Sequence, residues 1–373
     1  MMPVRGRVFI LFSIIFLFIL FLIFSPSIIS LLVKRQLKHS FPQSEVVLER
    51  CILQPRGVRL VNFGIKQRDV FSFKTKEFNI EFTLSSLLQK KISKCVIKGG
   101  EFSLDINNLR KDSLSQLGLF RIKTVEFSNL SSDLKTKDFE LNAYFLSAVL
   151  NLEERTINSL DLRIKYFSLP GFKLNDALLE IKEDSAGRVE IKNIACGKLK
   201  VENIKGDLQY QKEKMSVSHL SAKFLDGYIE GELNLEKDRG LKYQGILRFF
   251  PLNIKRLPQE LKLEDKLQLS GLLEGSLIIA GTGFKLDVVK GDFSFLQPGG
   301  NLIVKDKNLL RNLAEKTRQS FDIIWEGLRD YYFDKGDLKL FLDNQDLILR
   351  LILEGERGKR DLEIRWHNFE LGR

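Results

Sequence analysis

Gly231-Glu232-Leu233-Asn234-Leu235 carries an apolar side chain at every second position behind a glycine and an acid. Alternation with period 2 puts Leu233 and Leu235 on one face of an extended strand and Asn234 on the other. The phrase recurs as Gly100-Glu101-Phe102-Ser103-Leu104, Gly206-Asp207-Leu208-Gln209-Tyr210, Gly291-Asp292-Phe293-Ser294-Phe295 and Gly336-Asp337-Leu338-Lys339-Leu340. Glycine tolerates positive φ, so each phrase reads as a strand opened by a turn. An array of such strands builds a surface or a groove more readily than a catalytic pocket.

Outward from these phrases the alternation continues. Phe78, Ile80 and Phe82 alternate with Asn79 and Glu81; Leu160, Leu162 and Ile164 with Asp161 and Arg163; Phe284, Leu286 and Val288 with Lys285 and Asp287. Leu347, Leu349, Leu351 and Leu353 repeat the pattern, with Ile348 and Ile352 making the opposite face partly apolar. Turn chemistry separates such runs at Asp184-Ser185-Ala186-Gly187, Lys237-Asp238-Arg239-Gly240 and Asp343-Asn344-Gln345-Asp346. Long helical stretches of the kind a parallel crossover needs are mostly missing, which predicts an antiparallel, up-and-down array. One helix interrupts it. From Asn308 to Tyr331, Leu310, Leu313, Phe321, Ile324, Trp325 and Leu328 fall at helical spacing, and Asp306 or Asn308 suits the N-cap.

A sheet with one apolar face must cover that face. One helix cannot cover so many strands, so the sheet is expected to curl into an elongated, curved, open groove. Its lining would be the alternating residues above, together with Phe102, Leu104, Leu233, Leu235, Phe293, Phe295, Leu338 and Leu340.

The other decisive stretch is at the start. Val8 to Val33 is apolar apart from four serines and Pro26, and its 26 residues exceed the ~20 that cross a bilayer as a helix. Arg5 and Arg7 precede the run, and Lys34, Arg35 and Lys38 follow it, so charge specifies orientation weakly. The rival reading is a cleaved signal peptide; Ser25-Pro26-Ser27 is the sole small-x-small candidate near the end of the run. The resulting division is a cytoplasmic N-terminus (1–7), a transmembrane anchor (8–33), a linker (34–44), a repetitive β-groove (45–300) and a helix with C-terminal strands (301–373).

Composition narrows the chemistry. The net charge is +11, but the 59 basic residues are interleaved with 48 acids, as in Glu180-Ile181-Lys182-Glu183-Asp184. This is the pattern of a solvated strand face rather than a nucleic-acid surface. Cys51, Cys95 and Cys196 form no CxxC pair; they border apolar stretches and read as buried thiols, with one disulfide plus one free thiol as the alternative. His39, His219 and His367 are far apart in sequence. No HExxH, GxSxG, Walker A or GxGxxG occurs, and Gly281-Thr282-Gly283 reads as a turn. The expectation is a protein that is not an enzyme and uses no cofactor or metal.

The layout resembles a known family. Val58-Arg59-Leu60-Val61-Asn62-Phe63, then Ser85-Ser86-Leu87-Leu88-Gln89-Lys90-Lys91-Ile92 and Val96-Ile97-Lys98-Gly99-Gly100-Glu101-Phe102, are similar to the N-terminal region of the AsmA-like envelope proteins. Leu267 to Leu277, Gln297-Pro298-Gly299-Gly300, the helix, and Tyr332 to Gly355 resemble the YdbH branch, whose end has been labelled a dicarboxylate-transport domain. The resemblance implies a single-pass inner-membrane protein of diderm bacteria with its body in the periplasm, carrying phospholipid between the membranes. The alternative of another class is a scaffold for assembling outer-membrane proteins.

Allowing about 10–12 residues per strand and turn, roughly 20–25 strands fit after residue 45. Spaced ~4.8 Å apart they give a sheet on the order of 100–120 Å long. A partner is therefore expected to extend it by strand addition at Leu362, Ile364 and Trp366. That partner is a small outer-membrane-associated protein or another copy of the chain. Alternatively, this segment folds back onto the array.

Overall fold

The computed structural model describes residues 30–38, 44–67, 70–105, 121–238, 240–260, 263–283, 285–318 and 320–367. The expected N-terminus and anchor up to residue 29, Phe284 and residues 368–373 lie outside the described residues. Residues 30–38 form a helix, α1. Among the described residues no helix is long and apolar enough to cross a membrane.

The protein is mainly β, with few and short helices. The chain divides into two compact units, Met1–Lys165 and Tyr166–Arg373. The first holds β1 (Glu45–Gln54), β2 (Gly57–Gln67), β3 (Phe71–Glu81), the short α2 (Leu84–Leu88), β4 (Lys91–Asp105), β5 (Arg121–Lys135) and β6 (Glu140–Asn151). Each strand pairs with the next, antiparallel except at one place. That exception corrects the up-and-down expectation: β4 and β5 run parallel, Ile97 beside Phe127 and Leu104 beside Leu134. A parallel pair needs a crossover, and residues 106–120, which make it, lie outside the described residues. Strand β7 (Thr156–Leu169) contains the division between the units.

The second unit continues with β8 (Phe172–Ile181), β9 (Ala186–Cys196), β10 (Leu199–Gln211), β11 (Lys214–Phe224), β12 (Gly227–Lys237), β13 (Leu241–Asn253), α3 (Arg256–Glu260), β14 (Leu267–Thr282) and β15 (Lys285–Val304). Then come α4 (Lys307–Thr317), α5 (Phe321–Leu328), β16 (Tyr331–Phe333), β17 (Lys335–Asp343), β18 (Asp346–Gly355) and β19 (Gly358–Trp366). From β8 to β15 each strand pairs antiparallel with the next. β15 then pairs with both β16 and β17, and β17, β18 and β19 follow in order. The predicted hairpins form. Asn344 and Gln345, both at positive φ, make the two-residue turn between Asp343 and Asp346. β19 lies along β18, with Leu362 opposite Leu351 and Trp366 opposite Leu347.

The glycine phrases are not turns, which corrects their reading. Gly100, Gly206, Gly231 and Gly291 sit inside β4, β10, β12 and β15, and Gly336 is the second residue of β17. Close approach explains them: a Cβ on Gly231 would lie 2.1 Å from the Ile246 carbonyl oxygen and 3.0 Å from Leu247 Cα. The strands are also fewer and longer than expected, reaching 16 residues in β14 and 20 in β15.

Long strands keep one face inward by means of left-handed residues. Asn62, Asn129, Asp176, Asn203 and His219 have φ between 48° and 56° inside β2, β5, β8, β10 and β11. In β2, Leu60 and Phe63 are both buried although three positions apart, because Asn62 turns the chain between them. Asparagine and aspartate tolerate this conformation better than other side chains.

The single expected helix is two. Arg318, at φ 54°, ends α4, and Ser320 caps α5 by accepting a hydrogen bond from the Ile323 amide. Asp306 accepts from the Asn308 amide at 2.9 Å and starts α4, as predicted. Leu310 and Leu328 from the two helices join Tyr331, Phe333, Phe295, Leu302 and Leu353 in the largest core cluster, with Phe321, Ile324 and Trp325 packed against it.

Candidate functional site

The register of each pair places the apolar positions of neighbouring strands side by side. In the first unit one row runs Leu60, Phe78, Ile97, Phe127, Ala148 across β2 to β6. The next rows are Val58, Ile80, Cys95, Val125, Leu150 and Phe71, Leu104, Leu134, Leu141. Phe73 lies opposite Phe102. Phe63, Phe73 and Phe78 pack ring on ring at about 6 Å, the spacing of favourable aromatic pairs. Of the residues predicted here, Phe78, Ile80, Phe102 and Leu104 share this face, while Phe82 follows the end of β3.

In the second unit the rows are longer. One runs Leu220, Gly231, Leu247, Leu277, Gly291, Leu340, Leu349, Ile364 from β11 to β19. Another runs Ile229, Phe249, Gly275, Phe293, Leu338, Leu351, Leu362 over the same span. A third joins Leu208, Val217, Leu233, Gly245, Ile279 and Val289. The glycines alternate with large residues, and neighbouring side chains lean over them. Leu233 Cδ1 and Ile279 Cγ1 lie 3.5 and 3.3 Å from where a Gly245 Cβ would stand. Small beside large packs a single surface tightly, which is what the five phrases accomplish.

Most of the predicted lining residues of this unit are therefore on one face: Leu233, Leu235, Phe293, Phe295, Leu338, Leu340, Leu347, Leu349, Leu351 and Leu353. A register shift between Ala280 and Gly281 keeps Leu286, opposite Gly281, on the apolar side. It leaves Val288 on the other side, 45% exposed, with Val289 taking its place. Within β7, Leu160 is buried, and Leu162 and Ile164 are half-buried between exposed Arg163 and Lys165.

What lies over the face differs along it. At Phe295 and Leu353 it is filled by the protein itself, since both belong to the cluster under α4, α5 and β16. Around Ile204, Ala222 and Ile229 the cluster consists of side chains of β9 to β13 alone: Ile191, Ile194, Val201, Leu220, Phe224, Leu247 and Phe249. These side chains touch sideways within one layer. At the edge in β19, Ile364 and Trp366 are 51% and 42% exposed.

The opposite face is ionic. Lys94 pairs with Glu126 at 2.6 Å, Lys214 with Glu236 at 3.4 Å, and Arg350 with Asp361 through two nitrogens at 3.0 and 2.5 Å. Hydrogen bonding from Asn79, with Arg59 and Lys98 nearby, holds the Glu77 carboxyl below its ordinary value. Arg350 does the same for Asp361. All three cysteines are free; Cys51 and Cys95 are buried and burial pushes the Cys95 thiol up to about 11, but Cys196 is exposed, which corrects its reading. His219 and His367 each pair with an aspartate at 2.9 Å, and no cluster of metal-ligating residues occurs among the described residues. The left-handed asparagines were the feature that alternation alone could not reveal.

No family model, no curated protein and no solved structure matches this chain.

Proposed function

We propose that the apolar face holds the acyl chains of phospholipid, in a membrane-anchored protein that carries lipid between the inner and outer membranes of a diderm envelope. The anchor is the apolar run from Val8 to Val33, with the body in the periplasm. One observation carries the reading: from β9 to β13 the apolar rows are a single layer of side chains. Apolar surface left in water is unfavourable at ~25 cal/mol per Å², and extended hydrocarbon matches a surface of parallel rows. The charged opposite face stays in water, and tails slide along the lining without bond chemistry or a cofactor. Strand addition beside Leu362, Ile364 and Trp366, by a small outer-membrane-associated protein or a second copy, would lengthen the surface; the exposure of Ile364 and Trp366 supports it.

The test is mass spectrometry of lipid retained by the full chain after extraction in mild detergent. The wild type is expected to carry phospholipid, Leu233→Glu to lose most of it, and Asn234→Glu to keep it. A buried unpaired carboxylate costs several kcal/mol or must become neutral. Equal lipid in both variants sinks the reading. A β-barrel client recovered in place of lipid would favour the assembly scaffold.

A further inference from the structure

On the ionic face of the first unit lies a concavity of about 770 Å³. It follows one register row: Val47, Gly64, Lys74, Glu101, Ser131 and Tyr144 stand side by side across β1 to β6. Lys66 and Lys76 complete its basic wall, and Glu45 stands opposite Lys66. Glycine makes the hollow. A Cβ on Gly64 would sit 3.5 Å from Lys74 Cγ, and one on Gly99 would sit 3.1 Å from Lys76 Cδ, so two lysine stems lie over bare backbone.

Three features distinguish this place from the rest of the ionic face. First, Arg59, Lys94 and Lys98 in the same unit are each paired with a glutamate, whereas among the described residues Lys66, Lys74 and Lys76 have no carboxylate within ion-pair distance. Second, the concavity is amphipathic: Val47 is 52% exposed at its edge, and the Tyr144 hydroxyl donates to Asn129 Oδ1 at 3.0 Å, which fixes the ring. Third, it begins on the strand tied to α1. The Cys51 amide donates to Ser30 Oγ at 2.6 Å, and Val33 and Leu37 pack against Val46 and Leu48. α1 adds Lys34, Arg35 and Lys38, and the sequence directly before it is apolar back to Val8.

We propose that this concavity binds the phosphate of an anionic phospholipid headgroup, with Lys66, Lys74 and Lys76 on the phosphate oxygens and Val47 and Tyr144 against the glycerol and first methylenes. Lysines near an anionic membrane surface each strengthen binding several-fold, and three unpaired ammonium groups lose no existing partner when a phosphate arrives. The site is on the face opposite the acyl-chain rows, so it stands whether or not lipid tails occupy those rows.

The test titrates short-chain dihexanoyl phosphatidylglycerol, below its micelle concentration, into the full chain held in neutral detergent, and follows binding by calorimetry. Phosphatidylcholine of the same chain length and inorganic phosphate are the comparison arms. Phosphatidylglycerol is expected to bind more tightly than either. Lys66→Gln/Lys74→Gln/Lys76→Gln should weaken it on the order of a hundredfold, and raised salt should do likewise. The corresponding triple arginine variant should retain binding. Lys205→Gln/Lys223→Gln/Lys290→Gln, with the same charge change among exposed lysines of the second unit, should leave it intact. These are surface residues, so an unchanged melting temperature is expected for all three variants. Equal binding by the wild type and the first variant overturns the proposal. So does inorganic phosphate binding as tightly as phosphatidylglycerol, since the site would then take free anions.

Discussion

Leu353→Ala should destabilise the second unit by about 2–5 kcal/mol, the range for truncating a fully enclosed leucine. Leu353 is 0% exposed and sits among Tyr331, Phe333 and Phe295. It is held there because Gly336 across the β17–β18 pair leaves room; its Cδ2 lies 2.8 Å from where a Gly336 Cβ would be. Removing three carbons opens a cavity that a cluster braced by two helices and five strands cannot close. Arg350→Ala, three residues away on the ionic face, should change stability far less, because the Arg350–Asp361 pair is solvent-screened. Urea unfolding of both variants, read as a shift in midpoint at constant slope, checks the pair. An equal or larger shift for Arg350→Ala would contradict the assignment of the faces.

Gly231→Ala should cost about 1–3 kcal/mol, as overpacking typically does, although alanine is otherwise the milder residue in a strand. The new methyl would stand 2.1 Å from the Ile246 carbonyl oxygen, which is backbone and cannot move aside without displacing β13. Asn234→Ala, exposed on the same strand, should stay within roughly 0.5 kcal/mol. Thermal melts compare them directly. A neutral Gly231→Ala would mean that glycine serves here as the sequence first suggested, as a permissive turn residue rather than as space.

That contrast marks what the sequence makes legible. Period-2 alternation identified Leu233, Leu338 and Leu349 as neighbours in kind, and the registers place them on one face. Turn chemistry at Asp343 to Asp346 was legible because two residues at positive φ have few solutions. The glycine phrases were misread because glycine answers two demands, positive φ and missing volume, and a local pattern does not separate them. Whether a Cβ would collide depends on the next strand, which is many residues away. The same reason hides the parallel β4–β5 pair, whose register is set across residues 106–120 rather than by a hairpin. Helical periodicity runs through Arg318 to Ser320 unbroken, yet a left-handed residue and a serine cap divide the helix there. Val288 and Val289 are chemically alike, so only the register shift beside Gly281 decides which of them joins the apolar rows.

The acyl-chain reading rests on the faces having different occupants, and photo-crosslinking in native membranes tests that most directly. A benzophenone side chain placed at position 233 or at position 234 probes opposite faces of β12 at neighbouring positions. The account predicts a covalent phospholipid adduct from position 233 after irradiation, identified by mass, and little or none from position 234. Adducts of equal yield from both positions, or none from position 233 while the protein is folded and membrane-bound, would contradict it.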